Sequence, residues 1–135
     1  MRYLDSNIFL LPVLYKGRKA DRAKSILELM VSGNTQCATS ALTIDEVLWV
    51  LIKMTRDREG AIATCKDIVE LPNLTVLDVT NHDSLRALEL MEKYVQLKPR
   101  DAIHLAVSTN AGIFSIVSDD SDFDGISEVN RESLD

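Results

Sequence analysis

The chain has 135 residues, a formal net charge of −6, 46% hydrophobic residues and 27% charged residues. That composition is globular and excludes disorder, and the length suits one domain, residues 1–135, with one sizeable core. The acidic balance argues against a protein that coats nucleic acid through bulk charge, and no apolar stretch nears the roughly 20 residues needed to span a bilayer.

Residues 2–4 (Arg2-Tyr3-Leu4) read as a short opening strand. Asp5-Ser6-Asn7 is turn and helix-cap chemistry before the apolar run from Ile8 to Leu11. Pro12 either sits early in that helix or interrupts it. Ala20, Ala23, Leu27, Met30 and Val31 recur at helical spacing, and Gly33-Asn34 ends their helix. Residues 36–39 fit a second strand. A helix starting near Ser40 to Thr43 carries Ile44, Val47, Leu48, Leu51 and Ile52 on one face, with Glu46 at the edge of that face. Ala61, Cys65, Ile68 and Val69 belong to a further helix stopped by Leu71-Pro72-Asn73.

Residues 74–79 (Leu74 to Val79) make the clearest strand pattern. Thr80-x-x-Asp83 resembles a capping box, and Leu85, Leu88, Met91 and Val95 mark the apolar positions of the helix it opens. Pro99 breaks the chain. Asp101 then opens a helix that is apolar nearly all round, which is the signature of burial. Residues 114–118 read as a buried fourth strand, and residues 127–129 as a short fifth at an edge. Strands alternating with helices give an α/β fold: three layers, α/β/α, around a central parallel sheet of four to five short strands.

Acids punctuate this pattern. Asp5 closes the first strand, Glu46 lies in the first turns of one helix, Asp101 opens another, and Asp119, Asp120 and Asp122 follow the fourth strand. Ligand sites of α/β sheets form beyond the carboxyl ends of the strands. Carboxylates gathered there repel one another and call for a cation, and hard oxygen donors suit Mg²⁺, with Mn²⁺ also suitable. Such a centre serves phosphodiester hydrolysis. Each acid also has a structural role open to it: Asp5 as a helix cap, Asp101 as an acid favoured by a helix dipole, Glu46 with Asp45 as a solvated pair, and the last group as an acidic loop.

Taken in order, Leu4-Asp5-Ser6-Asn7, Asp45-Glu46-Val47, Pro99-Arg100-Asp101-Ala102-Ile103-His104-Leu105-Ala106 and Val117-Ser118-Asp119-Asp120-Ser121-Asp122-Phe123 resemble the PIN-domain ribonucleases that serve as toxins in VapBC toxin–antitoxin pairs. The resemblance spans nearly the whole chain. It implies a Mg²⁺-dependent endoribonuclease, with water as the nucleophile. It places Asp5, Glu46, Asp101 and Asp120 as the catalytic, metal-binding quartet, with Asp122 as a fifth acid at the rim. The fourth ligand is open among Asp119, Asp120 and Asp122, and the spacing to Phe123 favours Asp120. Asn7 would hold Asp5 or a water, and Ser118 would hydrogen-bond a carboxylate. Arg100, Lys98 and the basic run from Lys16 to Lys24 would guide RNA phosphates. The implied partners are an RNA substrate, a cognate antitoxin and a second copy of the chain. The expected location is cytoplasmic, since a carboxylate at position 5 comes too early for a signal peptide.

Two other classes fit part of the pattern. A catalytically silent PIN-like interaction module would keep the fold alone. A Mg²⁺-dependent phospho-acceptor domain would want paired acids after an early strand and a lysine near the last one, and the chain offers neither. No phosphate-cradling glycine motif and no Ser-His-Asp spacing is present. His104 reads as a packed histidine of a buried helix, His82 as a surface residue and Trp49 as core or dimer surface. Cys37 and Cys65 read as buried packing thiols rather than a bridge or ligands. With 5% aromatic residues, an aromatic RNA-binding sheet is not expected.

Overall fold

A computed structural model describes residues 1–135. In chain order the elements are β1 (Arg2–Leu4), α1 (Ser6–Leu14), α2 (Arg18–Val31), β2 (Cys37–Ser40), α3 (Ala41–Thr55) and α4 (Arg58–Val69). There follow β3 (Leu74–Leu77), α5 (Asn81–Lys93), α6 (Pro99–Asn110), β4 (Ser115–Val117), a 3-10 turn (Ser121–Phe123) and β5 (Asn130–Glu132). All strands pair in parallel in the order β3-β2-β1-β4-β5.

Period-two alternation divides the core into two halves. Leu4, Cys37 and Val117 face one layer, where they meet Ile8, Phe9, Ala23, Ile26, Met30, Val47, Leu51 and Ile68 of α1 to α4. Their neighbours Tyr3, Ala38 and Ile116 face the other, against Ala87, Leu90, Ala102, Leu105 and Ala106 of α5 and α6. The result is the three-layer α/β/α arrangement that the sequence pattern implies. From the central β1 the chain first builds outward through β2 and β3, and later returns to add β4 and β5 on the other side. The direction of winding therefore reverses between β1 and β4, and crevices form at such a reversal. No helix is long and apolar enough to cross a membrane.

Three local expectations need correction. The fifth strand is Asn130–Glu132, not residues 127–129. It pairs at the sheet edge through its backbone, Ile116 lying opposite Arg131 and Val117 opposite Glu132, so it carries no apolar alternation to read. Residues 127 and 128 instead belong to a polar cluster in which the Tyr94 hydroxyl contacts Ser127 Oγ and Glu128. On α5 the buried face is Asp83, Ala87 and Leu90, whereas Leu85 and Leu88 are exposed and Val95 lies beyond the helix at 97% exposure. Polar satisfaction sets that rotation. Asp83 accepts from the Thr80 backbone N–H at 2.9 Å and from Asn110 Nδ2 at 2.8 Å, which ties the start of α5 to the end of α6. Lastly, Phe114 is exposed and precedes β4 instead of lying in it.

Candidate metal centre

Asp5 is the N-cap of α1, at the point where β1 ends. Its Oδ1 accepts from the Ser6 backbone N–H at 2.7 Å. Oδ2 accepts from Ser118 Oγ at 2.6 Å and from Asn7 Nδ2 at 3.3 Å. The capping role and the site role thus coexist in one carboxylate, which is buried. Ser118 leaves β4 beside it, because Asp5 N–H continues the β1–β4 pairing to Val117 O at 3.1 Å. The Ser118 hydroxyl also accepts the Asp120 backbone N–H at 2.9 Å, and Asn7 Oδ1 accepts that of Asp119 at 3.3 Å. Ser118 and Asn7 therefore shape the loop that presents the acids after β4.

Asp101 comes from the opposite layer, in the first turn of α6, and Pro99 starts that helix with its φ already near helical values. Asp101 accepts the Lys98 backbone N–H at 3.3 Å. Carboxylate oxygens of Asp101, Asp120 and Asp122 lie within 4.8 Å of one another. Asp119 faces elsewhere, paired with Lys19 at 2.9 Å, so Asp120 and Asp122 are the two of the three loop acids that gather with Asp101. Glu46 reaches in from α3 to meet Asp5, and these two with His104 again lie within 4.8 Å. The acids thus form two neighbouring groups where β1 and β4 end, Asp5 with Glu46 and His104, and Asp101 with Asp120 and Asp122, close enough for the charge of Asp5 to act on Asp101.

The electrostatics follow from that crowding. Burial, and then the nearby charge of Asp120, push the Asp101 carboxyl up to about 6, with Asp5 and Asp122 adding to the rise. The acids repel at neutral pH, and only Lys98, 3.2 Å from Asp122, and His104 offset them locally. The five carboxylates offer oxygen donors under mutual repulsion, with the His104 ring nitrogen beside Asp5 and Glu46, and such a set fits a divalent cation of the Mg²⁺ or Mn²⁺ kind.

His104 is buried, as expected, but it is also part of the site. Its Nε2 contacts Glu46 Oε1 and lies 3.5 Å from Asp5 Oδ1, while Nδ1 lies 2.7 Å from the Tyr3 hydroxyl. Burial works against a charge on His104. The hydrogen bond that His104 gives to Glu46 and the fields of Asp5, Glu46 and Asp101 outweigh it, and the histidine pKa is raised. The clue was the spacing from Asp101 to His104, three positions along one helix face. Tyr3 and Ser40 gave no such signal.

Arg100 stands exposed beside Asp101. The basic run contributes Lys19 to Asp119 and Asp135, and Arg22 to Glu132, so part of it holds the C-terminal strand and loop. Trp49 is exposed, with Lys53 Nζ 4.8 Å from its ring centre, so it is not part of the core. A groove of about 510 Å³ lies between α3 and α4 and is lined by Ile44, Leu48, Ile62, Cys65 and Val69. None of the five acids borders it.

The chain matches a family model described as PIN domain over residues 2–129. A comparison with curated proteins finds no relative by sequence. Solved structures share the fold. A toxin–antitoxin complex from Klebsiella pneumoniae aligns with TM-score 0.69 and 23% identity, covering 96% of each chain. VapBC2 from Rickettsia felis, bound to a promoter DNA fragment, gives TM-score 0.75 and 18% identity over 98% of each chain. VapC20 from Mycobacterium tuberculosis, described as a sarcin-ricin loop cleaving toxin, gives TM-score 0.74 and 21% identity, over 96% of this chain and 98% of that one.

Proposed function

This chain belongs to the PIN domain family, and on that premise we infer that it is a divalent-metal-dependent endoribonuclease, the toxin of a toxin–antitoxin pair. The observation that carries this reading is the gathering of five carboxylates from four separate segments into two neighbouring groups where β1 and β4 end. A fold kept only for assembly has no need to hold Asp101, Asp120 and Asp122 with their carboxylate oxygens within 4.8 Å of one another. The toxin role draws on the similarity to the VapBC structures, and RNA as substrate draws on the description of VapC20.

Asp5, Asp101 and Asp120 would hold the ion, with Glu46 and Asp122 completing the set. Bound there, Mg²⁺ or Mn²⁺ supplies charge neutralisation and Lewis acidity for hydrolysis of a phosphodiester. The chain's own residues do the rest. Ser118, Asn7 and the Ser6 N–H fix the Asp5 carboxylate through both oxygens, so no reorientation is needed when substrate arrives. The short Ser118–Asp120 contact holds the loop acids against the end of β4. Lys98 and Arg100 flank Asp101 and give phosphates a positive approach to an otherwise negative crevice. Single-stranded or looped RNA is the suitable substrate, because its backbone is free to enter. By the similarity to the toxin–antitoxin structures, a cognate antitoxin and a second copy of the chain are its partners.

Cleavage of a labelled RNA by purified protein, with and without Mg²⁺, tests the proposal. Mg²⁺-dependent endonucleolytic products, lost in Asp5→Asn and Asp101→Asn, are expected, and expression of the same variants should no longer arrest growth. RNA cut equally well in EDTA, or by both variants at the wild-type rate, would refute it.

A further inference from the structure

Behind the acids runs a buried polar chain that hydrolysis as described does not use. Glu46 contacts His104 Nε2, His104 Nδ1 lies 2.7 Å from the Tyr3 hydroxyl, and that hydroxyl donates to Ser40 Oγ at 2.7 Å. His104 is 1% exposed, and Tyr3 and Ser40 are fully buried. Polar groups placed so deep are destabilising unless paired. Here each is paired, and no buried side-chain nitrogen or oxygen lacks a partner.

Donor counting fixes what His104 does. Its Nε2 faces the carboxylate oxygens of Glu46 and Asp5, which only accept when ionised. A bare lone pair there would be repelled, so Nε2 carries a hydrogen and donates. Nδ1 is engaged by Tyr3. The spacing of Asp5, Glu46 and His104 would suit a three-ligand metal site, yet both ring nitrogens already have partners, Nε2 at Glu46 and Nδ1 at Tyr3. Resting on the metal-nuclease reading, we propose that His104, anchored by Tyr3 and Ser40, is a positioning residue that holds the Glu46 carboxylate beside Asp5 for the divalent ion without ligating it.

The arrangement ties the two helical layers together at the crevice. Glu46 belongs to α3, which packs on one face of the sheet through Val47 and Leu51, and His104 belongs to α6 on the other. Tyr3 is in β1, so the anchor of the histidine is the central strand itself. One turn of α6 therefore supplies both an acid, Asp101, and the donor that aims the acid of another helix.

Mn²⁺ binding to the metal-free full chain tests this, by calorimetry and by pulsed electron paramagnetic resonance with ¹⁵N-labelled histidine. The spectroscopy uses a His82→Asn background, which leaves His104 as the only histidine of the two. The wild type should bind Mn²⁺ with no ¹⁵N coupling of a directly bound imidazole. His104→Gln, which keeps an N–H donor, should stay within about threefold of wild-type affinity, and His104→Leu should lose about 10- to 100-fold. Tyr3→Phe nearly preserves volume and removes only the anchor, so it keeps the test open if His104→Leu does not fold; it should also weaken Mn²⁺ binding. Direct ¹⁵N coupling would overturn the proposal. So would wild-type affinity in Tyr3→Phe and His104→Leu, or a loss in His104→Gln equal to that in His104→Leu. Wild-type protein that binds no Mn²⁺ would sink the metal-nuclease reading too, whereas binding that the variants leave unchanged would overturn this proposal alone.

Discussion

Asp101→Asn should make the metal-free protein more stable while removing its activity. In the fold the Asp101 carboxyl is pushed from its ordinary 3.8 to about 6, by burial first and then by Asp120, Asp5 and Asp122. The folded state therefore resists ionising a group that the unfolded chain ionises freely. Below 3.8 both states hold the proton and nothing is lost. Between 3.8 and 6 the unfolded state releases its proton first, and folding is progressively penalised. Above 6 the penalty is complete. Taken at full strength the rise corresponds to about 3 kcal/mol. Asp101 is only half-buried, and solvent screening reduces this to about 1 kcal/mol. An asparagine keeps an oxygen to accept the Lys98 N–H and carries no charge. Thermal unfolding in EDTA should then show the variant higher in Tm by about 4 °C at pH above 7, with the gain vanishing near pH 4. Added Mn²⁺ should reverse the order, because it stabilises only the chain that binds it. A variant less stable than wild type in EDTA at neutral pH, or a gain independent of pH, would refute the repulsion that defines the site.

Other outcomes follow from individual contacts. Ser118→Ala removes the hydroxyl that donates to Asp5 and accepts from Asp120, and should lower stability by about 1–3 kcal/mol in denaturant unfolding. It should also cut Mg²⁺-dependent cleavage by about 10- to 100-fold. Arg100→Ala should raise KM more than it lowers kcat, and should reduce the slope of log affinity against log salt by about 0.7 for single-stranded RNA; an unchanged slope would exclude a phosphate contact. Partial burial works against the Glu128 charge, but hydrogen bonds from Tyr94, Ser127 and Lys93 prevail and hold its carboxyl down at about 2. Its stabilising effect is therefore complete above the ordinary 4.5 and is lost as pH falls toward 2. Tyr94→Phe should lower stability by about 1 kcal/mol at neutral pH, a difference that shrinks across that acid window in urea titrations.

Much of the fold was legible because helix and strand periods differ and because punctuation was clear. Pro99 opens α6, and the Thr80–Asp83 capping box opens α5 with both of its hydrogen bonds in place. Asp5, Asp101 and Asp120 were legible as a set because each sits at or beside the end of an element, and a parallel sheet brings those ends to one edge. What was not legible depended on contacts distant in sequence. The polar β5 is held by backbone pairing to β4, and no local pattern encodes it. The rotation of α5 is set by Asp83 meeting Asn110, 27 positions away. Asp119 leaves the cluster because Lys19 captures it. His104 looked like packing because its neighbours Leu105, Ala106 and Val107 are core residues. Burial and function coincide there, since Tyr3 and Glu46 satisfy its two ring nitrogens, and neither partner is near it in sequence.

Anomalous diffraction from a crystal soaked in Mn²⁺ tests the metal centre most directly. A peak is expected where β1 and β4 end, with carboxylate oxygens of Asp5 and Asp101 or Asp120 about 2.1 Å from it. A fully occupied ion bound elsewhere on the surface, with that position empty, would contradict this.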